Sequence, residues 1–226
     1  MASPVPTYQI YGRRKGKPLR AYHSSLMRDL LPRVSVDVAQ PLSRTSDRVW
    51  LEIGFGGGEH LAHQAALHSD VTLIGAEPYL NGVAKLLAEV DGRKLANVRI
   101  HHGDARPLLE TLPAESVERI YLLYPDPWPK ERQKKRRFVN PANLAQFHRI
   151  LKPAGMFFFA SDIADYVEWT KTHVADCGHF TAQGDPAVPY DTWIRTRYEA
   201  KAIREDRVPH YLRFRKCASV EPVNSP

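Results

Sequence analysis

Cysteine is scarce in this chain. Only Cys177 and Cys217 occur among 226 residues, and they form no C-x-x-C pair. Disulfides and a structural zinc site are therefore not expected. Long apolar runs are missing too. The longest compact one, Met156 to Ala160, is far short of the ~18 residues that a membrane span requires. No apolar stretch followed by a cleavage site stands at the N-terminus, so nothing there reads as a secretory signal. No internal repeat and no second domain can be read from the sequence. These absences point to one α/β domain in a reducing, cytoplasmic setting. A hydrophobic fraction of 43% is ordinary for a globular protein, and the length suits one well-filled domain.

The net charge is +7, and it is concentrated. Arg13, Arg14, Lys15, Lys17 and Arg20 carry +5 with no acid between them. Lys130, Arg132, Lys134, Lys135, Arg136 and Arg137 against Glu131 carry another +5, which leaves the remainder at −3. Two short basic runs on an otherwise acidic body suit a polyanion held at defined places. The alternative is a pair of solvated charged faces. Residues 1 to 40 form a basic arm, rich in Pro, Gly and Arg with scattered tyrosines in its first half and expected to be flexible. Arms of this kind can order on RNA. Ser24 to Leu31 reads as a short helix stopping before Pro32, and Pro41 to Asp47 as a polar connection.

The most informative stretch is Val49-Trp50-Leu51-Glu52-Ile53-Gly54-Phe55-Gly56-Gly57-Gly58-Glu59. It reads as a buried strand, a glycine loop and a helix start. Glycines let the backbone turn sharply and bring its amides close to a ligand. A dinucleotide fingerprint needs a small residue at its sixth position. Glu59 stands there and would face a pyrophosphate. S-adenosylmethionine has no phosphate, and a loop flanked by Glu52 and Glu59 suits it better. Further strands follow at Val71 to Ala76, Val98 to His101, Val117 to Leu123 and Met156 to Ala160. Each delivers an acid at or just beyond its carboxyl end: Glu77, Asp104, Asp126 and Asp162. Glu77 suits a ribose diol. Asp104 suits an adenine amino group or plain turn chemistry. Asp162 reads either as a site residue or as the cap of the helix Tyr166 to Cys177. His60 and His63 share one helix face without further ligands nearby, so no metal is expected.

Tyr124-Pro125-Asp126-Pro127-Trp128-Pro129-Lys130 is the second informative stretch. Three prolines are expected to hold it extended. Trp128 or Tyr124 can lie against a base, and Asp126 can accept from a purine N–H edge. The basic run follows at once, so the partner of Asp126 is expected to carry phosphates. Further on, Thr196-Arg197-Tyr198-Glu199 fits a capping box, and Tyr211 to Cys217 reads as a last strand with one wet face.

These residues together resemble the bacterial tRNA (guanine-N7)-methyltransferase family, of TrmB type, over about Val49 to Phe214. Tyr124 to Lys130 with Lys135-Arg136-Arg137 is the most specific element. Leu51-Glu52-Ile53-Gly54-Phe55-Gly56, Gly75 to Tyr79, Gly103-Asp104-Ala105, Ser161-Asp162 and Thr196 to Glu199 support it. The family often has His inside its basic run, where Gln133 and Lys134 stand here. The resemblance implies an α/β, Rossmann-like class I methyltransferase domain over 41–226, with a seven-stranded, mostly parallel sheet and helices on both faces. It implies S-adenosyl-L-methionine as cofactor, with S-adenosyl-L-homocysteine as product, held by Glu52, Gly54, Gly56, Glu77, Asp104 and Asp126. Lys130, Asp162, Thr196, Arg197, Tyr198 and Glu199 would contact substrate. Arg132, Lys134, Lys135, Arg136 and Arg137 would contact RNA, and Asp126 would be catalytic. tRNA is the implied partner, at its variable-loop guanine 46. No membrane, no metal and no obligate protein partner are implied, and the chain would be a monomer or weak homodimer. The competing readings are a nicotinamide-dependent oxidoreductase, a methyltransferase acting on another RNA, and an RNA-binding protein without activity.

Overall fold

The structure is a computed structural model, and it describes residues 8–12, 14–39 and 47–217. Arg13 and most of the connection expected over Pro41 to Asp47 lie outside the described residues. The frame is a sheet of seven strands among the described residues: β1 (Val49–Ile53), β2 (Thr72–Ala76), β3 (Val98–His101), β4 (Val117–Leu123), β5 (Leu151–Ser161), β6 (Phe180–Gln183) and β7 (His210–Lys216). Their spatial order is β3-β2-β1-β4-β5-β7-β6. The first five run parallel, and β7 lies antiparallel to both β5 and β6. Chain order reverses between β1 and β4, which opens a crevice at their carboxyl ends.

Strand β1 is buried along its whole length, as a central parallel strand covered on both faces should be. Val49, Leu51 and Ile53 pack on one face, with α5 (Ala105–Thr111), α6 (Pro141–Ile150) and α7 (Ala164–Cys177). Trp50 packs on the other, with α3 (Glu59–Leu67) and α4 (Leu80–Arg93). The period-two alternation of a strand thus feeds two core layers. Helix α6 starts as the sequence suggests: Asn140 accepts from the amide of Asn143 at 3.0 Å, with Pro141 in the first turn.

Several boundaries differ from expectation. In the sequence Asp91-Gly92 reads as the break of a helix over Tyr79 to Val90, but helix α4 continues through it. It runs to Arg93 and ends at Lys94, whose φ of 54° supplies the left-handed cap. Helix α5 and strand β6 were not expected. The early helix stops before Pro32 as expected, but it starts and ends earlier than Ser24 and Leu31, and a second short helix follows it. Helix α1 (Ala21–Asp29) is followed by α2 (Leu31–Val34), which holds Pro32 in its first turn, where a missing N–H costs nothing. Strand β7 lies inside the sheet, between β5 and β6, and keeps the expected wet face: Arg215 is exposed and Arg213 half-buried, while Leu212, Phe214 and Lys216 are buried. The Lys216 ammonium is buried and donates to the carbonyl of Leu151 at 2.7 Å.

Of the arm expected to be flexible, residues 1–7, 13 and 40 lie outside the described residues, and the described part lies against the domain. Val36 donates to Ile100 at 2.9 Å, Leu80 to Arg14 at 3.0 Å, and Gly16 to the Asn81 side chain at 2.7 Å. Leu26 and Val34 join the core on the α3 and α4 side. Apolar burial and backbone pairing, not composition, place this segment. No helix among the described residues is long and apolar enough to cross a membrane.

Candidate active site

A cavity of about 590 Å³ lies over the carboxyl ends of β3, β2, β1 and β4. Its size falls in the range of small-molecule sites. Sheet order sets the sequence of groups along its wall: Asp104 after β3, Glu77 after β2, the glycine loop after β1, and Tyr124 to Asp126 after β4.

The glycine loop is fixed by its own backbone. Gly54 and Gly56 have φ of 69° and 58°, in the left-handed region that favours glycine. The Gly54 amide donates to the Ala76 carbonyl at 2.8 Å, and that of Gly58 to Phe55 at 2.8 Å. Glu77 completes the arrangement. One carboxylate oxygen accepts from the Gly56 amide at 2.7 Å, and the other from Tyr79 at 2.9 Å. Burial nevertheless pushes the Glu77 carboxyl above the usual range. The loop also leans on α4. An ideal Cβ on Gly82 would stand 2.1 Å from the Gly56 carbonyl oxygen. Sequence reasoning missed Gly82, although a glycine inside a helix costs about 1 kcal/mol and so signals a close approach.

Asp104 does two jobs. It caps α5 by accepting from the Arg106 amide at 2.9 Å, and its oxygens take the Arg106 guanidinium at 2.8 and 2.6 Å. A carboxylate has about four acceptor positions, so one side remains for a ligand N–H. Glu52 is a correction. It lies on the Trp50 face of β1 and is not part of the cavity wall; its carboxylate accepts from His60 Nδ1 at 2.6 Å, and His60 Nε2 meets the Tyr190 hydroxyl. Strand alternation turns it away from the site.

The proline-rich loop is not uniformly extended. Tyr124 and Trp128 each precede a proline and have φ of 50° and 44°. The proline ring keeps them out of the right-handed helical region, and the resulting bends carry Asp126 to the cavity rim. The Asp126 carboxyl meets solvent on one side and is crowded on the other, and that crowding raises its pKa. The Tyr124 hydroxyl is buried without a hydrogen-bond partner.

Among the expected RNA contacts, Arg137 is a second correction. Its side chain is fully buried, donates to the Pro127 carbonyl at 2.8 Å, pairs with Asp165 and sits over the rings of Tyr166 and Trp169. It braces the proline loop from beneath. Lys134 is tied to Glu131 and Asp165 at 2.9 and 3.1 Å. Arg132 and Lys135 are exposed on the 3-10 turn Glu131–Arg136. The Arg136 guanidinium lies over Tyr11 at 4.5 Å and Trp128 at 5.0 Å. Tyr11 and Ile10 line the cavity, so the N-terminal segment closes one side of it. Nothing local in the sequence could have placed it there.

The expected substrate residues divide. Lys130 is exposed and outside the cavity wall. Asp162 does not cap α7; Ile163 holds that position, and Asp162 pairs with Arg207. Thr196 caps α8 (Arg197–Arg204) by accepting from the Glu199 amide at 3.2 Å. The reciprocal half of a capping box is absent. Buried Glu199 instead accepts from Trp193 Nε1 at 2.8 Å and the Tyr211 hydroxyl at 2.6 Å. Only Arg197 and Tyr198 of this segment reach the cavity wall.

The residues present fit S-adenosylmethionine. Acids stand at the ends of β3 and β2 for adenine and ribose, and the loop between β1 and α3 has no side chains to block the remainder. Comparisons with known proteins agree. The family described as "Putative methyltransferase" matches residues 46–211. A "tRNA (guanine-N(7)-)-methyltransferase" of Agrobacterium fabrum is 49% identical, over 92% of this chain and 95% of its own length. One from Ruegeria sp. is 46% identical, over 95% and 90%. The solved structure of the 16S rRNA methyltransferase KamB has the same fold, with a TM-score of 0.58 at 15% identity, covering 91% of this chain and 99% of that one. On identity and coverage, the chain belongs to the tRNA (guanine-N(7)-)-methyltransferase family.

Proposed function

We propose that this chain methylates N7 of the variable-loop guanine, position 46, in tRNA, with Asp126 orienting the base. The observation that carries the reading is the cavity rim. An acid fit for a purine edge stands between two aromatic residues, and Lys135 and Arg136 line the same cavity. Asp104 and Glu77 would hold the adenosine, and the glycine loop with Asp126 would flank the rest. When bound, the cofactor supplies a methyl group activated by a sulfonium.

Guanine N7 has a free lone pair, so no proton need be removed before attack. The task left to the protein is alignment, which can account for several kcal/mol of a barrier. The Asp126 carboxylate accepts from the N1–H and exocyclic amine of guanine. It also faces the positive charge that grows on the base as the new bond forms. Trp128 and Tyr124 bound the space in which the base stacks. Arg132, Lys135 and Arg136 take phosphates, while Arg137 holds the loop in place. tRNA is thus the partner, and the enzyme works in the cytoplasm as a monomer or weak homodimer. An incubation of tRNA transcript with labelled S-adenosylmethionine, followed by cleavage at 7-methylguanine, tests the reading. A single break at guanine 46 supports it, and no break or a break elsewhere refutes the assignment.

The division of labour in the basic run is testable separately. Replacing Arg132, Lys135 and Arg136 by alanine should weaken tRNA binding and lower the slope of log K against log salt by about 0.7–0.9 for each phosphate no longer neutralised. Arg137→Ala should instead lower the melting temperature, because Asp165 and the Pro127 carbonyl lose their donor. Filter binding at four salt concentrations and a thermal melt separate the two. An unchanged slope in the triple variant would remove its RNA role.

A further inference from the structure

We infer that Arg197 belongs to the cofactor and not to the RNA: it grips the carboxylate at the amino-acid end of S-adenosylmethionine. The inference rests on the methyltransferase reading and adds to it a residue that the family resemblance assigns to substrate.

Sheet order fixes which end of the ligand lies where. With adenine at Asp104 on β3 and ribose at Glu77 on β2, the amino-acid end must lie over the loop that follows β1. A carboxylate taken into a partly enclosed site needs donors or a cation. The glycine loop is poorly placed to provide donors, because three of its four glycine amides are already engaged. Gly54 donates to Ala76, Gly56 to Glu77, and Gly58 to Phe55. The fourth, Gly57, lies beneath the Arg197–Glu59 pair. An ideal Cβ on Gly57 would stand 2.5 Å from Glu59 Oε1 and 2.9 Å from Arg197 Nη2, and one on Gly56 3.2 Å from Arg197 Nη2.

The other cations of the cavity wall are committed or lie elsewhere. Arg106 is paired with Asp104 through two hydrogen bonds, and Arg137 with Asp165. Arg136 lies on Tyr11 and Trp128, on the side of the proline loop, and Lys135 belongs to the same turn. Arg197 differs in its place: its Nε, like that of Arg136, is buried without a hydrogen-bond partner, but Arg197 stands at the glycine loop, where its ion pair with Glu59 is long, at 3.6 Å. Its guanidinium lies over the Tyr198 ring, 5.1 Å from the centroid, which orients the planar fork. An unpartnered N–H in a buried place is costly unless a ligand meets it. A planar fork beside a glycine loop matches a carboxylate with two parallel hydrogen bonds. The position on α8 also has a consequence. Thr196 caps this helix, and Glu199 ties it to Trp193 and Tyr211, so the arginine is delivered to the loop from a rigid element.

Calorimetry with three ligands tests this on Arg197→Gln, with Arg197→Lys as a second variant that keeps the charge and loses the fork. S-adenosylhomocysteine carries the carboxylate, and 5′-methylthioadenosine lacks the whole amino-acid end. The third ligand is tRNA at fixed salt. Arg197→Gln should weaken S-adenosylhomocysteine on the order of 10–100-fold, leave 5′-methylthioadenosine within about twofold, and leave tRNA within about twofold. Arg197→Lys should fall between the parent and Arg197→Gln for S-adenosylhomocysteine. Equal weakening of both nucleosides would mean that the substitution only disturbs the cavity, and would overturn the inference. Weaker tRNA binding with S-adenosylhomocysteine unchanged would return Arg197 to the substrate. If the unaltered chain bound no S-adenosylhomocysteine, the methyltransferase reading itself would fail, which is a distinct outcome.

Discussion

Gly82→Ala should abolish measurable binding of S-adenosylhomocysteine while leaving a folded protein. The glycine sits in α4, where alanine is otherwise the better helix former by about 1 kcal/mol. Propensity therefore predicts a gain. Contact geometry predicts the opposite, because the new methyl would lie 2.1 Å from the Gly56 carbonyl oxygen. That neighbour is backbone and cannot rotate aside. Either α4 or the loop must shift, and overpacking of this kind typically costs about 1–3 kcal/mol. The loop is the weaker element, since a shift of Gly56 also breaks its 2.7 Å bond to Glu77 and with it the ribose acid's position. A fall in melting temperature with loss of binding is the expected pair of results in a thermal melt and a titration. A raised melting temperature with normal binding would show that the loop accommodates the methyl. Gly92→Ala is the matched control, because a Cβ there meets nothing within 4 Å. It should gain stability and bind normally.

The contrast between Gly82 and Gly92 shows where the sequence was legible. The strand that carries Trp50, the turn that follows and the acids after β2, β3 and β4 all announce themselves through local pattern, and the structure puts Glu77, Asp104 and Asp126 on one cavity wall. Local pattern failed wherever a distant partner decided. Asp91-Gly92 reads as a break, yet α4 continues because Val90 and Leu87 are held in the core. Glu52 looks like a ligand residue, yet His60, one helix later, takes its carboxylate. Arg137 is indistinguishable from its basic neighbours in sequence, and only the return of α7 with Asp165 turns it inward. The N-terminal segment was unreadable for the same reason. Its contacts with Asn81, Ile100 and Arg106 are all long-range.

Asp126→Ala should lower kcat by about 10²–10³, the loss seen when one preorganised electrostatic group is removed from a reacting centre. Folding should survive, because the carboxyl stands at an exposed rim of the cavity and caps no helix. Asp126→Asn refines the point. It keeps the shape and one acceptor but loses the charge, so part of the guanine contact persists while the stabilisation of the cationic product does not. Its kcat should therefore fall more than its KM for tRNA rises. The pH dependence follows from the same group. Crowding raises the Asp126 pKa above the usual carboxylate value, so the active, anionic form is lost as pH falls through that raised value. The acid limb of kcat should lie above the range of an ordinary aspartate. In Asp126→Asn that limb should disappear, leaving a flat, low rate. Single-turnover rates across the acid range, measured with saturating tRNA, would show it. A variant that retained the parent's limb would move the titrating group to Glu77, whose carboxyl is also raised by burial. Full activity in Asp126→Ala would remove the residue from the reaction altogether.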